Sequence, residues 1–396
     1  MITRVLTKTL HSFAKFPVVA LLGPRQSGKT TLAREAFPNH KFFSLDDSEV
    51  RQFMLQDPKG FLSTHDNPYG MILDEFQYAP EFVSYIKINA DEKKRAGYFV
   101  LTGSQNFLMN EKITESLAGR VGILNLLPLS LQELRDSNLL SSNVNDTIFM
   151  GSYPRIYSES FTPAQLYPSY LQSYVERDIR QLINVENLTT FQRFVQLCAG
   201  RTGQLISYDA LSSECGVSAP TIKKWLSILE ACYIIFMLEP HSNNFNKRIT
   251  KTPKLYFYDT GLACSLLRIN TAQEVALSPF RGALFETLII SDLYKQYCNR
   301  GMRSPLYFWR DKGGAFEVDC IIDEGNNLFP IEIKSGQTLA SDCFRGIARW
   351  NEFSGSSAAN SFVIYGGSEQ QTRSSGNVVG WQAVAGLVER IKTRKS

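Results

Sequence analysis

Residues 21–33 read LLGPRQSGKTTLA. The spacing is GxxxxGK[ST], a pattern whose chemistry is specific because a triphosphate needs many hydrogen-bond donors in a small volume with little side-chain bulk. Gly23 and Gly28 supply the room. Between them the backbone of Pro24, Arg25, Gln26 and Ser27 can turn its N–H groups inward, and the following helix, TTLAREAF, offers its positive end to the phosphates. Lys29 is placed to reach the β and γ phosphates and Thr30 to hold Mg2+, with Thr31 next to it at the helix start. The run before it, FPVVALLG, is apolar and rich in valine and leucine, as a buried strand feeding the loop must be.

A phosphate cradle needs a second element that holds magnesium and polarises water. The stretch YGMILDEFQ at 69–77 supplies it, because Met71, Ile72 and Leu73 read as a strand that ends in Asp74 and Glu75. Ligands of open α/β sheets collect at such carboxyl ends. Asp74 suits the metal shell, and Glu75 suits orienting or deprotonating the attacking water. A third strand, GYFVLTGSQ, ends at Thr102, Gly103, Ser104 and Gln105; lying between the first two, it would put Ser104 or Gln105 beside the γ phosphate. A helical stretch, NEKITESLAGR, then leads to the strand VGILNLLP. Arg120 falls at their junction, and two readings stand: a finger offered to a neighbouring subunit, or an arginine paired with a carboxylate of its own chain.

The chain has 396 residues, which suggests two or three domains. Its composition, 43% hydrophobic and 20% charged, is that of a globular protein able to bury a core in each. With 42 basic and 38 acidic residues the net charge is only +4, so any nucleic-acid surface has to be local. The longest apolar run, ACYIIFML, is far short of the roughly 20 residues of a membrane span. The N-terminal MITRVLTKTLHSFAKF lacks a continuous apolar segment, so a cytoplasmic location and no membrane partner are expected. The seven cysteines show no CxxC pair, which argues for reduced thiols rather than zinc or disulfides.

Beyond the nucleotide region, GSYPRIY and QLYPSYLQSYVERDIRQLI read as a lid or linker. Arg155, Arg177 and Asp178 there face either the nucleotide, a subunit interface or solvent. From about 191 the pattern becomes three helices, FQRFVQLCAGRTG, SYDALSSECG capped by Ser207, and VSAPTIKKWLSILEACYII, followed by the strands IIFMLEP and KLYFYD around the basic loop HSNNFNKRITKTP. That is the order of a winged helix. Thr221, Lys223 and Lys224 would face a DNA groove, with Lys247, Arg248 and Lys251 on the wing near phosphates; the same unit could equally serve as a rigid packing module.

The last third carries a second constellation. RGALFETLIISDLYKQY is an amphipathic helix with Glu286, LYFWRDKGGAFEVDCIID a hairpin with Asp319, and NLFPIEIKSG a strand with Glu332 and Lys334 on one face. Three carboxylates beside a lysine are what a metal-dependent phosphodiesterase needs, a second Mg2+ or Mn2+ being the ion. The alternative is an edge hairpin with solvated charges.

With these residues assembled, the chain resembles the prokaryotic AAA+ type ATPases that carry a C-terminal domain of uncharacterised function, DUF4143. GPRQSGKTTL, LDD at 45–47, ILDEFQYAP, LTGSQ, LAGR, LPLSLQEL and GSYPRIY carry the first half of the likeness. YVERDI, KTPKLYFYDTGL, FETLI, FWRDKGGAFEVD and IEIKSG carry the second. The resemblance implies an α/β chain with a P-loop parallel sheet, then a helical lid, a winged helix and a restriction-endonuclease-like PD-(D/E)xK domain, to which Glu286, Asp319, Glu332 and Lys334 correspond. The expected spans are 1–150, 151–190, 191–262 and 263–396. Expected ligands and partners are ATP, Mg2+, DNA and further copies of the chain, as in a hexameric ring. Two functions compete: an ATPase that couples turnover to DNA binding or remodelling, and a slow nucleotide-operated oligomeric switch in signalling or defence.

Overall fold

The computed structural model describes residues 2–104, 113, 115–175, 188–241 and 252–393. It divides into two compact units, one made of residues 1–128 with 231–233 and 298–302, the other of residues 129–230, 234–297 and 303–396.

The first unit is built on a five-stranded sheet of order β2-β3-β4-β1-β5. The strands are β1 (Val18–Leu22), β2 (Lys41–Ser44), β3 (Met71–Asp74), β4 (Phe99–Gly103) and β5 (Val121–Asn125). Every pairing is parallel, and the registers Leu22 to Gly103, Leu22 to Asn125 and Ser44 to Asp74 bring the carboxyl ends to one edge. β1, β3 and β4 are buried at every position, which is why they read as continuous apolar runs instead of alternating ones. One face is closed by Leu6 and Leu10 of the helix Leu6–Phe13 together with Leu32, Ala33 and Ala36 of the helix Lys29–Ala36, packed on Val19, Leu21, Ile72 and Val100.

The second unit begins earlier than expected. Residues 129–150 belong to it and not to the nucleotide core, and their backbone is satisfied here: Leu129 N donates to Ser152 O at 2.8 Å and Leu131 N to Asp292 Oδ1 at 2.6 Å. Ser130 and Glu133 form a capping box at the start of Leu131–Asp136, the physical content of LPLSLQEL. Three helices follow further on, Leu188–Ala199, Tyr208–Cys215 and Ala219–Ala231. Ser207 caps the second through Ala210 N, and Gly216, at φ 70°, ends it in a left-handed turn. Trp225 packs on Phe191 and Phe194, its ring 5.2 Å from each. These helices accompany a three-stranded antiparallel sheet of order β6-β8-β7, from β6 (Gln204–Leu205), β7 (Ile235–Leu238) and β8 (Lys254–Phe257).

A six-stranded mixed sheet completes the unit, of order β13-β14-β12-β11-β10-β9. Its strands are β9 (Leu306–Arg310), β10 (Glu317–Asp323), β11 (Leu328–Lys334), β12 (Phe362–Tyr365), β13 (Gln371–Arg373) and β14 (Gly376–Gly380). β9 and β10 form the expected hairpin, β11 returns antiparallel to β10, and β11, β12 and β14 run parallel. The helix Arg345–Ser354 covers one face through Ile347 and Trp350, while the helix Arg281–Cys298 carries Glu286.

A buried acid ties this unit together. Asp259 accepts from Ser152 N at 2.6 Å, Ser152 Oγ at 2.8 Å and Leu262 N at 2.8 Å, capping the helix Thr260–Leu266. Lys295 donates to the same Ser152 Oγ at 2.9 Å and to Leu129 O at 3.3 Å. Gly151 is held against it at φ 68°, where an added Cβ would stand 2.1 Å from the Tyr167 hydroxyl. Replacing Asp259 with Ala strands these donors out of water, so stability should fall by about 3 kcal/mol. All four tryptophans lie in this unit, so urea unfolding followed by their fluorescence measures the loss.

Candidate nucleotide site and carboxylate cluster

At the carboxyl edge of the five-stranded sheet, β1 runs into the loop 23–28. Gly23 sits at φ 151°, and a Cβ there would lie 2.1 Å from Leu126 O, so only glycine allows the loop to leave the strand. Gln26 at φ 61° and Gly28 at φ 91° place two left-handed residues in the loop, the kind of backbone that turns successive N–H groups toward one point. Lys29 is buried, and its Nζ donates to Gly23 O at 3.0 Å and Pro24 O at 2.7 Å, holding a positive charge inside the loop. Pro24 and Ser27 are buried, Arg25 and Gln26 half-buried, and Thr31 is exposed on the helix. Sequence reasoning missed Arg4. It is buried and clamps the loop from outside, Nη1 donating to Ser27 O at 2.7 Å and Nη2 to Leu127 O at 2.6 Å. A lone arginine ahead of a helix carries no motif that announces this role.

β4 lies between β1 and β3, so the ends of the three strands converge. Thr30 Oγ1 donates to Asp74 Oδ1 at 2.8 Å, and Thr102 Oγ1 donates to the same oxygen. Glu75 stands just past β3 at φ 54°, a left-handed conformation that is strained for a non-glycine residue and is often found at functional sites. Its Oε2 accepts from Gln77 Nε2 and from Ser104 Oγ at 3.4 Å, while the Gln77 amide oxygen is buried with no partner among the described residues. Ser104 therefore meets Glu75 as the strand order requires; Gln105 lies outside the described residues. Gln77 was not singled out from sequence, though its place two residues after Glu75 was the available signal.

Arg120 is elsewhere. Val18 pairs with Val121, so Arg120 precedes the amino end of β5, about 20 Å of strand away from the loop that follows Leu22. Its guanidinium grips Asp91 in a two-pronged pair, Nη2 to Oδ2 at 3.0 Å, and also donates to Ala118 O at 3.0 Å. That is the intrachain pairing of the second reading.

In the other unit, Glu286, Asp319, Glu332 and Lys334 come together, with three neighbours that sequence reasoning missed: Lys254, Tyr256 and Glu317. Lys254 Nζ stands 3.3 Å from Glu286 Oε1 and 2.5 Å from Glu317 Oε1, and Tyr256 donates its hydroxyl proton to Glu286 Oε1. Asp319 Oδ2 accepts from Ile333 N at 2.7 Å, and Lys334 Nζ donates to Glu332 Oε1 at 2.5 Å. Burial pushes the Glu286 carboxyl up to about 7, with the Asp319 charge adding to the rise and Lys254 opposing it. Burial and Asp319 likewise push Glu332 up to about 8, and burial raises Asp319. For Lys254, burial alone would lower the value, but Glu286, Asp319 and Glu317 outweigh it and the net shift is upward. Among the described residues, no three histidine, cysteine or carboxylate side chains are grouped so that they could hold a metal ion. Lys254 lies between Glu286 and Glu317, while Glu332 Oε2 is buried without a partner among the described residues. KTPKLYFYD contains both Lys254 and Tyr256, but nothing in its spacing points to a helix thirty residues away.

Lys223 and Lys224 are exposed on the helix Ala219–Ala231, Lys223 Nζ lying 5.1 Å from the centre of the Tyr208 ring; Thr221 Oγ1 is 2.8 Å from Ser218 Oγ. Lys247, Arg248, Lys251, Arg177 and Asp178 lie outside the described residues. Arg155 pairs with Glu159 at 2.7 Å. All seven cysteines are buried, and among the described residues no helix is long and apolar enough to cross a membrane.

A left-handed glycine loop, a buried lysine and a threonine–aspartate pair at the carboxyl edge of this sheet define a P-loop ATPase domain of the AAA type. Residues 15–135 match the AAA domain family, 141–273 a domain of unknown function, DUF8612, and 281–384 the domain of unknown function DUF4143. The chain thus matches an AAA domain in its first third and a DUF4143 domain in its last, and ATP is the ligand an AAA domain implies. Uncharacterised proteins of Mycobacterium bovis and Mycobacterium tuberculosis are each 29% identical over 338 residues, spanning 84% of this chain and 73% of theirs. Among solved structures, a Walker-type ATPase of Pyrococcus abyssi is 15% identical, with a TM-score of 0.41 over 67% of this chain and 95% of its own. The Thermotoga maritima RuvB Holliday junction branch migration motor is 16% identical, with a TM-score of 0.29 over 58% and 86%.

Arg4→Met should leave Ser27 O and Leu127 O without their donor and loosen the loop. We expect ATP affinity to fall about tenfold, roughly 1.4 kcal/mol, in a titration with a fluorescent ATP analogue. Unchanged affinity would mean the loop keeps its shape unaided.

Proposed function

We propose that this protein hydrolyses Mg-ATP and couples the turnover to binding or remodelling DNA. The observation that carries the hydrolytic part is the Thr30–Asp74 hydrogen bond at 2.8 Å, which unites the P-loop helix with the end of β3 while Glu75 and Ser104 stand beside it. In this reading the N–H groups of residues 25–28 and Lys29 bind the phosphates, and Thr30 and Asp74 would hold Mg2+, which would supply charge neutralisation to the triphosphate. Glu75 orients a water and takes its proton as the water oxygen bonds to the γ phosphorus and ADP leaves. Gln77 and Ser104 fix the Glu75 carboxylate. The DNA part rests on the three-helix and three-stranded unit, read as a winged helix, whose Lys223 and Lys224 are exposed on the second helix of the turn with Thr221 beside them. Lys247, Arg248 and Lys251, basic residues of the sequence between the two strands, and assembly into an oligomer such as a ring belong to the same reading. In the same reading the C-terminal domain is nuclease-like, with Glu286, Asp319, Glu332 and Lys334 as its site.

A second reading, the slow switch, is favoured by one arrangement. Glu75 is engaged by both Gln77 and Ser104, and Arg120 is engaged by Asp91 instead of being offered to a neighbour. A switch would hydrolyse slowly and ignore DNA.

Steady-state ATP hydrolysis with and without duplex, single-stranded and branched DNA separates the two: stimulation by DNA supports the first reading, and a low, DNA-independent rate supports the second. Glu75→Gln should retain nucleotide binding and lose at least a hundredfold in turnover, in line with loss of a general base. Lys29→Ala should lose binding itself; ATP affinity and turnover equal to wild type in that variant would sink the phosphate-loop assignment. Mixing Arg120→Ala subunits with Lys29→Ala subunits tests the finger, since a residue acting in trans restores part of the rate.

A further inference from the structure

Thr102 stands one residue beyond the Leu73–Leu101 pair of the parallel strands β3 and β4, which makes it the cross-strand neighbour of Asp74. It is 1% exposed, and on its other side it pairs with Leu21 of β1. A hydroxyl has one proton to give and two lone pairs to receive with. Thr102 gives its proton to Asp74 Oδ1 and receives Glu75 N at 3.4 Å, a long hydrogen bond. Thr30 Oγ1 donates to the same Oδ1 at 2.8 Å. Both hydroxyl protons therefore converge on one oxygen of the carboxylate, and Asp74 Oδ2 has no hydrogen-bond partner among the described residues. The two threonines differ in surroundings. Thr30 is half-buried at the start of the helix Lys29–Ala36, whereas Thr102 is closed in between strands and serves Asp74 and Glu75 alone.

We propose that Thr102 is a positioning residue for hydrolysis: its buried hydroxyl fixes the rotation of the Asp74 carboxylate, so that Oδ2 stays without a protein donor for Mg2+ to use, and it steadies the backbone turn at Glu75. The proposal rests on the reading of Asp74 as a metal holder and Glu75 as the base. The terminal torsion of an aspartate is broad, so one donor leaves the carboxylate loose; donors from two separate elements, β4 and the P-loop helix, pin it. Carboxylates that hold metals are themselves oriented by such hydrogen bonds, and removing the donor weakens the metal as well as the reaction. At Glu75, φ 54° is strained for a non-glycine residue and persists where neighbours over-determine it. Thr102 Oγ1, accepting from Glu75 N, is one such neighbour, and Tyr78 N, donating to Glu75 O at 3.1 Å, is another.

The test compares the full chain with Thr102→Val, which keeps the branched shape and loses the hydroxyl, and Thr102→Ser, which keeps the hydroxyl. Mn2+ binding to the ADP-loaded protein is followed by electron paramagnetic resonance, and ATP hydrolysis is measured at steady state. Thr102→Val should weaken Mn2+ by about tenfold and lower kcat by a similar factor. ADP affinity in the presence of a chelator and KM for ATP should stay within about twofold, and Thr102→Ser should recover most of both losses. Thr102→Ala, a second variant without the hydroxyl, should follow Thr102→Val. Wild-type Mn2+ affinity in Thr102→Val would overturn the proposal. So would equal losses in Thr102→Val and Thr102→Ser, which would mark a packing role. A wild-type protein that binds Mn2+ with ADP and does not turn over ATP would count against the hydrolytic reading, and the Mn2+ comparison would still decide whether Thr102 orients Asp74.

Discussion

The carbonyl oxygen of Leu126 leaves no room for a side chain on residue 23. That close approach is what lets the chain turn directly out of β1 beneath the exit of β5, and the nucleotide site depends on it. The loop that follows has left-handed residues at Gln26 and Gly28, a geometry that an unsupported chain would not keep. It is kept because Arg4 spans Ser27 O and Leu127 O, and because Lys29 folds back onto Gly23 O and Pro24 O. The shape of the loop is thus held by covalent and packing constraints that exist before any ligand arrives, which limits the ordering cost of binding.

The second unit relies on a different device. Instead of one close backbone approach it uses buried acids as junctions, each satisfied by donors from separate segments. Asp259 gathers 152 and 262; Asp292 gathers Leu131 and Gln296; Glu286 gathers Lys254 and Tyr256. A buried carboxylate whose partners are removed is costly, so each junction enforces one arrangement of the segments it meets. The motifs GSYPRIY, KTPKLYFYDTGL and FETLI acquire a physical meaning here, as the ends of these junctions.

Much of the architecture was legible because its signals are local. Buried parallel strands read as apolar runs, the loop spacing of 23–30 reports its own geometry, and Ser207 and Gly216 mark helix ends through capping chemistry that depends on neighbours only three or four residues away. The Glu332 and Lys334 pair on one face of β11 followed from the period of a strand. What escaped were residues whose role lies in partners far along the chain. Arg4 acts on residue 127, Lys254 on Glu286 and Glu317, and residues 129–150 join the second unit through Ser152 and Asp292.

By itself, then, the sequence determined the class of the first unit, the identity of the phosphate loop and the acidic strand end beside it, since these are written in spacings that backbone geometry allows few ways to satisfy. Only the tertiary structure decided what surrounds the charges. Arg120 meets Asp91, Glu75 meets Gln77 and Ser104, and the carboxylates near Asp319 meet an ammonium. The reason is electrostatic: the character of an ionisable group is set by its burial and by the charges within a few ångströms, and which groups come that close is a property of the packed fold.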